Sequence, residues 1–314
     1  MKEKGRIVTV TLNPAIDKTV TVEQFEYGGL NRIKEQRTDA GGKGINVAKV
    51  LRTFDVQVSA IGIAAGYQGQ IVRDKLKQLD IHADFLEAAG DTRVNLKMVD
   101  ESTKRTTELN EPGFYTDAAL LERFQRQFSS SVAGASLVVL AGSLPPGAPP
   151  DYYRTLTRLA REQGAHTLLD ADSEALAAGI DAAPLAIKPN IHELEALIGR
   201  KLDTMSDTIA AARTLMERGI RYVLVSMGAE GSLLVGKHEA VRASPFPITP
   251  MSTVGAGDSM VAALAYSLLT GKSFEDMAKW TSAAGTVTAS KPGTEVCSLS
   301  EVQESIDRVS ISRL

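Results

Sequence analysis

Short β-branched runs alternate with longer segments of helical period along most of this chain, and that rhythm restricts the fold more than any other feature. "RIVTVTL", "VSAIGIA", "SLVVLAGS", "HTLLDAD", "LAIKPN" and "YVLVSMG" read as strands, several of them apolar on both faces. Between them "GINVAKVLRTF", "GQIVRDKLKQL", "PDYYRTLTRLAREQG", "HELEALIGR" and "TIAAARTLMERG" carry helical spacing. Strand and helix in alternation imply an α/β fold, a mostly parallel central sheet with helices on both faces. Ligands of such folds gather at the carboxyl ends of the strands. No repeat, low-complexity segment or linker divides the chain, so residues 1–314 are expected to form a single domain.

Two stretches break the rhythm. Residues 18–38 and residues 93–109 alternate apolar and polar residues with no helix after them. They read as antiparallel strands wetted on one side, inserted between α/β units. The expectation is a small β-sheet projecting from the main body as a lid; a pair of plain surface hairpins is the competing reading.

The chain carries 35 Lys and Arg against 38 Asp and Glu, a formal charge of −3, with no basic tail, so nothing points to nucleic acid or a membrane surface. Its one cysteine, Cys297, excludes an internal disulfide and Cys-rich metal sites, and its four histidines lack metal-ligand spacing. No apolar run has the length of a signal peptide core or a membrane span. A reduced, cytoplasmic protein is expected.

The sharpest local signal is "STVGAGDSMVAALAYSLLTG", residues 252–271. Gly255, Ala256 and Gly257 are small and sit directly before an apolar helix, whose unpaired N–H groups and positive end favour an anion. Asp258, in the first turn, is placed to take a proton from a hydroxyl while those N–H groups hold a phosphoryl group. Helix capping explains the same residues equally well in isolation. A second glycine loop, "DAGGKGINVAKVL", offers Gly42 for close approach, Lys43 as a mobile cation and Asn46 as donor and acceptor for sugar hydroxyls. Asp17 of "LNPAID" is either a turn residue or an acceptor for a sugar diol. A dinucleotide-dependent oxidoreductase is a poor alternative, because the glycines of "GIAAGYQG" have the wrong spacing.

"AGGKGINVAKVL" and "STVGAGDSMVAALA" resemble the two signature segments of the ribokinase-like (PfkB) carbohydrate kinases. Between them, in order, "TLNPAID", "GDTRVNLK", "AGSLPPG", "IKPNIHELE" and "VSMGAEGSLLV" match as well, so the resemblance runs from about residue 6 to residue 300. Within the family the pattern is most similar to the sugar-phosphate branch, above all its bacterial 1-phosphofructokinase group.

The resemblance implies ATP-dependent phosphorylation of a ketose phosphate, with fructose 1-phosphate first and fructose 6-phosphate or tagatose 6-phosphate as alternatives; a sensor without turnover is a distant one. By position it makes Asp258 the base and Gly255, Ala256 and Gly257 the anion hole. Asp17, Gly42, Lys43, Asn46 and Ser143 would surround the sugar, with Arg93 on its phosphate and Arg32 reaching a neighbouring subunit. Lys188, Asn190, Ser226, Gly228, Gly231, Ala283 and Gly285 would serve the nucleotide. Asn190 and Glu193 would hold Mg²⁺ through water. The implied cofactors are ATP and Mg²⁺, with K⁺ as a candidate activating ion, and the implied assembly is a homodimer through the lid. Two departures stand out. Asp55 replaces a customary glycine after the helix that follows Lys43, and "SKPGTEVCS" is also similar to the minor 6-phosphofructokinase branch.

Overall fold

The computed structural model describes residues 5–314; the charged start of the chain, residues 1–4, lies outside them. The strands, in chain order, are β1 (Arg6–Thr11), β2 (Ala15–Val22), β3 (Glu35–Gly41), β4 (Val58–Ala65), β5 (His82–Ala88), β6 (Arg93–Asp100) and β7 (Arg105–Asn110). They continue with β8 (Ala135–Ala141), β9 (His166–Asp170), β10 (Ala186–Ile187), β11 (Tyr222–Ser226), β12 (Ser232–Val235), β13 (Ala240–Ser244) and β14 (Ser310–Arg313). Ten of them form one sheet in the order β14-β13-β12-β11-β10-β9-β8-β1-β4-β5. From β5 to β11 every pairing is parallel; β12, β13 and β14 add an antiparallel edge.

The helices are α1 (Lys43–Thr53), α2 (Gly66–Gln78), α3 (Ala118–Val132), α4 (Tyr152–Glu162) and α5 (Ser173–Gly179). After these come α6 (Ile191–Ile198), α7 (Met205–Met216), α8 (Ala256–Thr270), α9 (Phe274–Ala289) and α10 (Leu299–Ser305). Successive side chains of β1 point to opposite faces of the sheet. Ile7 therefore joins a layer with Leu51, Leu264 and Trp280, while Val8 joins Phe124, Phe128 and Tyr153 on the other side. α8 is buried along nearly its whole first half, from Asp258 to Ala265, as expected of a helix apolar on every face. No helix among the described residues is long and apolar enough to cross a membrane.

The two rhythm-breaking stretches do pair with each other, as a separate four-stranded sheet in the order β3-β2-β6-β7. Each stretch is an antiparallel hairpin, as its alternation predicts, but the seam between them, β2 against β6, is parallel. The expected strand at "LAIKPN" shrinks to two residues, because Pro189 removes a donor from the ladder and Asn190 opens α6. Asp55 takes the left-handed conformation after α1, with φ of +56°, so the turn that usually holds glycine is kept.

Candidate active site

The parallel strands of the large sheet deliver their following loops to one edge. Asn13 follows β1, Ser143 follows β8, Asp170 ends β9, and Lys188 and Asn190 follow β10. This is where an open α/β sheet exposes backbone and side chains to ligands.

Asp258 lies in the first turn of α8, which starts from Gly255 at φ +77°, a conformation that a side chain would strain. The N–H groups of Gly257 and Asp258 have no hydrogen-bond partner among the described residues. The Asp258 carboxylate is only 8 % exposed. Its Oδ2 accepts from Asn46 Nδ2 at 2.8 Å, while Oδ1 makes no hydrogen bond among the described residues. Burial, seconded by the negative charge of Asp170, pushes its pKa up to about 6, and Asn46, Lys43 and Lys188 pull against that rise. A carboxylate so placed is ionised at neutral pH yet basic enough to accept a proton.

Asp170, 1 % exposed, ties two lysines together. Lys43 Nζ lies 3.2 Å and Lys188 Nζ 3.4 Å from the same Oδ1. Asp170 Oδ2 is buried with no hydrogen-bond partner among the described residues. Burial works against the charge on Lys43, but Asp170, Asp172, Asp258 and Glu193 together outweigh it and raise its pKa. Sequence reasoning read Asp170 only as part of the strand "HTLLDAD"; the available signal was a carboxylate at the carboxyl end of a parallel strand.

On one side of this centre lies a cleft of about 460 Å³ lined by Asn13, Arg93, Ser143, Pro145, Asp172 and neighbours. Arg93, which starts β6, donates through Nη2 to the Asn13 carbonyl at 3.2 Å and to Ser143 Oγ at 3.3 Å. Among the described residues no carboxylate pairs with it, and its Nε is buried without a partner. Asp17 on β2 is buried, accepts from Asn95 Nδ2 at 3.0 Å and has Lys97 Nζ 4.0 Å away. Asn13 was missed at the sequence level, because Asn before Pro reads simply as a turn.

On the other side is a cleft of about 550 Å³ lined by Ser226, Gly228, Gly231, Phe246, Ile248, Thr253, Ala256, Gly257, Met260, Ser282, Gly285 and Thr286. Lys188 reaches toward it, its Nζ 3.6 Å from where a Cβ on Gly257 would stand. Ser282, Gly285, Thr286 and Ala289 recur at helical spacing, so one face of α9 forms the wall. Ala283, turned about 100° round α9 from Ser282, is fully buried in the core and does not line the cleft. Of the adenine contacts expected around Ala283 and Gly285, Gly285 is the one on the wall.

Four further expectations meet a more local geometry. Asn190 and Glu193 form a reciprocal capping box on α6, each side chain bonded to the other's backbone N–H. Asn46, expected on the sugar, is committed to Asp258 through its amide nitrogen. Arg32 is exposed on the β2–β3 loop and lines neither cleft. Gly42 is the residue from which α1 starts.

α1 packs hard against β1 at Gly44, where an added Cβ would fall 2.4 Å from the Val10 carbonyl oxygen. Backbone cannot yield as a side-chain tip can. Gly44→Ala is therefore expected to cost about 1–3 kcal/mol of stability, as overpacking does. A urea denaturation midpoint equal to that of the wild type would refute this.

A family model described as "pfkB family carbohydrate kinase" matches residues 10–301. A curated 1-phosphofructokinase from Xanthomonas campestris is 41 % identical over 266 residues, covering 83 % of this chain and 84 % of that protein. The 1-phosphofructokinase of Escherichia coli is 37 % identical over 307 residues, 98 % of each chain. Among solved structures, phosphofructokinase-2 from Escherichia coli in complex with substrates and products superposes with a TM-score of 0.91 at 32 % identity, covering 96 % of this chain and 98 % of that one. The same protein in complex with potassium gives a TM-score of 0.92 at 31 % identity, with the same coverage.

Proposed function

The chain belongs to the pfkB family of carbohydrate kinases, and from that premise we propose that it transfers the γ-phosphoryl group of ATP to the C6 hydroxyl of fructose 1-phosphate, giving fructose 1,6-bisphosphate and ADP. The observation that carries the reading is the buried carboxylate of Asp258 at the start of α8 beside two lysines that converge on Asp170, Lys43 standing 3.7 Å from Asp172 of one cleft and Lys188 3.6 Å from where a Cβ on Gly257 of the other would stand. Fructose 1-phosphate is favoured over fructose 6-phosphate because the 1-phosphofructokinases are 41 % and 37 % identical, against 32 % for phosphofructokinase-2.

Arg93, with Ser143 beside it, takes the phosphate already on the sugar, since among the described residues no carboxylate forms an ion pair with its guanidinium. Asp17 accepts from the sugar hydroxyls. Asp258 Oδ1 takes the proton of the attacking hydroxyl as the oxygen–phosphorus bond forms and the bond to ADP breaks. The N–H groups at the start of α8 and the ammonium of Lys188 stabilise charge on the moving phosphoryl group. The apolar wall of Phe246, Ile248 and Met260 suits the adenine ring.

No group of three or more His, Cys, Asp and Glu among the described residues could cage a metal. That suits Mg²⁺ arriving on the nucleotide, because this ion keeps several waters and needs few protein ligands. Asn190 and the carboxylate of Glu193, which cap α6, would hold those waters, and the ion would neutralise phosphate oxygens. K⁺ activation is a further part of the proposal, supported by the potassium complex of phosphofructokinase-2.

The small sheet serves as a lid over the sugar, and the apolar side chains exposed on it and its loop, Tyr27, Leu30, Ile33 and Leu109, support a homodimer through it. ATP is an intracellular nucleotide, so the proposal places the enzyme in the cytoplasm.

ADP release measured in parallel with fructose 1-phosphate, fructose 6-phosphate and tagatose 6-phosphate tests the reading. Highest kcat/KM with fructose 1-phosphate is expected. Preference for either 6-phosphate overturns the acceptor, and no ADP with any of the three overturns the kinase. With its base raised to about 6, kcat is expected to fall on the acid side of about pH 6 as Asp258 takes up its proton. A pH profile still flat at pH 5 would contradict that assignment.

A further inference from the structure

We propose that Lys49 is a positioning residue for phosphoryl transfer, its ammonium group holding the Asn46 side chain in the one orientation that offers an amide N–H to Asp258. The proposal rests on the reading of Asp258 as the base.

Lys49 and Asn46 are three residues apart on α1 and so share a face. Lys49 Nζ lies 3.4 Å from Asn46 Oδ1 and also donates to the carbonyl of Ala40 on β3. An ammonium group has donors only. An inverted Asn46 amide would turn its NH₂ toward that ammonium and its oxygen toward the Asp258 carboxylate, replacing two attractions by two repulsions. With the oxygen drawn to Lys49, Asn46 Nδ2 is left facing Asp258 Oδ2 at 2.8 Å. One carboxylate oxygen is thereby held, and the other stays open for a hydroxyl.

Charges from every adjoining element act on this relay. Burial lowers the pKa of Lys49, while Asp39 of β3, Asp17 of β2 and Asp258 of α8 raise it and Arg37 of β3 lowers it further. Asp258 in turn faces Asp170, Asn46, Lys43 and Lys188. Lys49 Nζ is engaged by the Ala40 carbonyl and Asn46 Oδ1, so it acts on Asp258 through Asn46. Its bond to Ala40 also links the base of the small sheet to the helix that carries Asn46.

Steady-state kinetics on Lys49→Met and Lys49→Arg, scanned from about pH 5.5 to 8.5, provide the test. For Lys49→Met, kcat is expected to fall about 10- to 100-fold while both KM values stay within about twofold. Its acid limb should move to higher pH, since neither the charge nor the aligned amide then supports the carboxylate. Lys49→Arg should restore most of kcat. In an Asn46→Ala background, Lys49→Met should add less than about a twofold loss, because residues acting as one unit are not additive.

An unchanged kcat with an unmoved limb overturns the proposal. So does a rise in KM with kcat intact, which would mark a role only in holding the small sheet, and so do independent losses in the double variant. If melts show Lys49→Met unfolded, Lys49→Gln carries the same test. It keeps a donor but no charge, so a wild-type kcat and limb count against the proposal, and a partial loss with a raised limb supports it. Asp258→Asn serves as the control: full turnover there removes the base itself, whereas its loss beside unaffected Lys49 variants removes only the relay.

Discussion

Asp258→Asn is expected to lose kcat by roughly 10²–10⁴-fold while ATP still binds, the usual size of a general-base contribution. The amide keeps the shape of the carboxylate but cannot take the proton of the attacking hydroxyl. Turnover above about half the wild-type rate would remove Asp258 from the chemistry. The same variant is expected to be more stable at neutral pH. Burial first, then Asp170, lifts the Asp258 pKa to about 6, above its ordinary value of 3.8. Between those two values the native chain holds a proton that the unfolded chain has released, so stability falls as pH rises through the window. Above it, ionising the group costs on the order of 3 kcal/mol, and an amide escapes that cost. Urea unfolding at pH 8 should show a gain of about 1–3 kcal/mol, vanishing near pH 4. An inactive variant that is also less stable at pH 8 would count against the burial argument.

The second large effect falls on the sugar phosphate. Arg93→Ala is expected to raise its KM at least about 30-fold, because losing one partner of a desolvated charge pair costs about 2–5 kcal/mol. The KM for ATP should change by no more than about twofold, since Arg93 lines the cleft away from α9. Arg93 also braces the Asn13 carbonyl and Ser143 within the protein, so some loss of kcat is compatible with the assignment. Equal rises in KM for both substrates would not be. Product analysis against sugars lacking the phosphate gives a second check: the variant should lose most of the preference that the phosphate confers.

The α/β architecture was legible because its strands are apolar on both faces and its helices amphipathic, two periods that differ clearly in "VSAIGIA" and "GQIVRDKLKQL". The antiparallel edge at β12 to β14 was not, since four or five residues such as "SLLV" and "AVRAS" are too short to show a period. The insertions read as antiparallel strands that meet in a small sheet, and they do, yet the parallel seam between β2 and β6 depends on contacts that no local pattern encodes.

At the site, the two glycine segments brought Asn46 and Asp258 to attention, and they lie within hydrogen-bond distance. Asp170 escaped because a strand-end carboxylate acquires meaning only when Lys43 and Lys188 converge on it. Ala283 sits off the cleft wall for a geometric reason that sequence spacing alone does not display: one residue along a helix turns the side chain by about 100°, enough to carry it from wall to core.

The parallel seam also governs how the polypeptide can emerge from a ribosome. β2 ends at Val22 and its partner β6 begins only at Arg93. At about 5–20 residues per second, the far edge of β2 waits several seconds for the strand that covers it. An uncovered edge is a template for intermolecular pairing, so nascent chains of this architecture pass through an interval of exposure to chaperones, and slower translation of the intervening stretch lengthens it. Asn46 waits longer still: the aspartate it bonds follows 212 residues later.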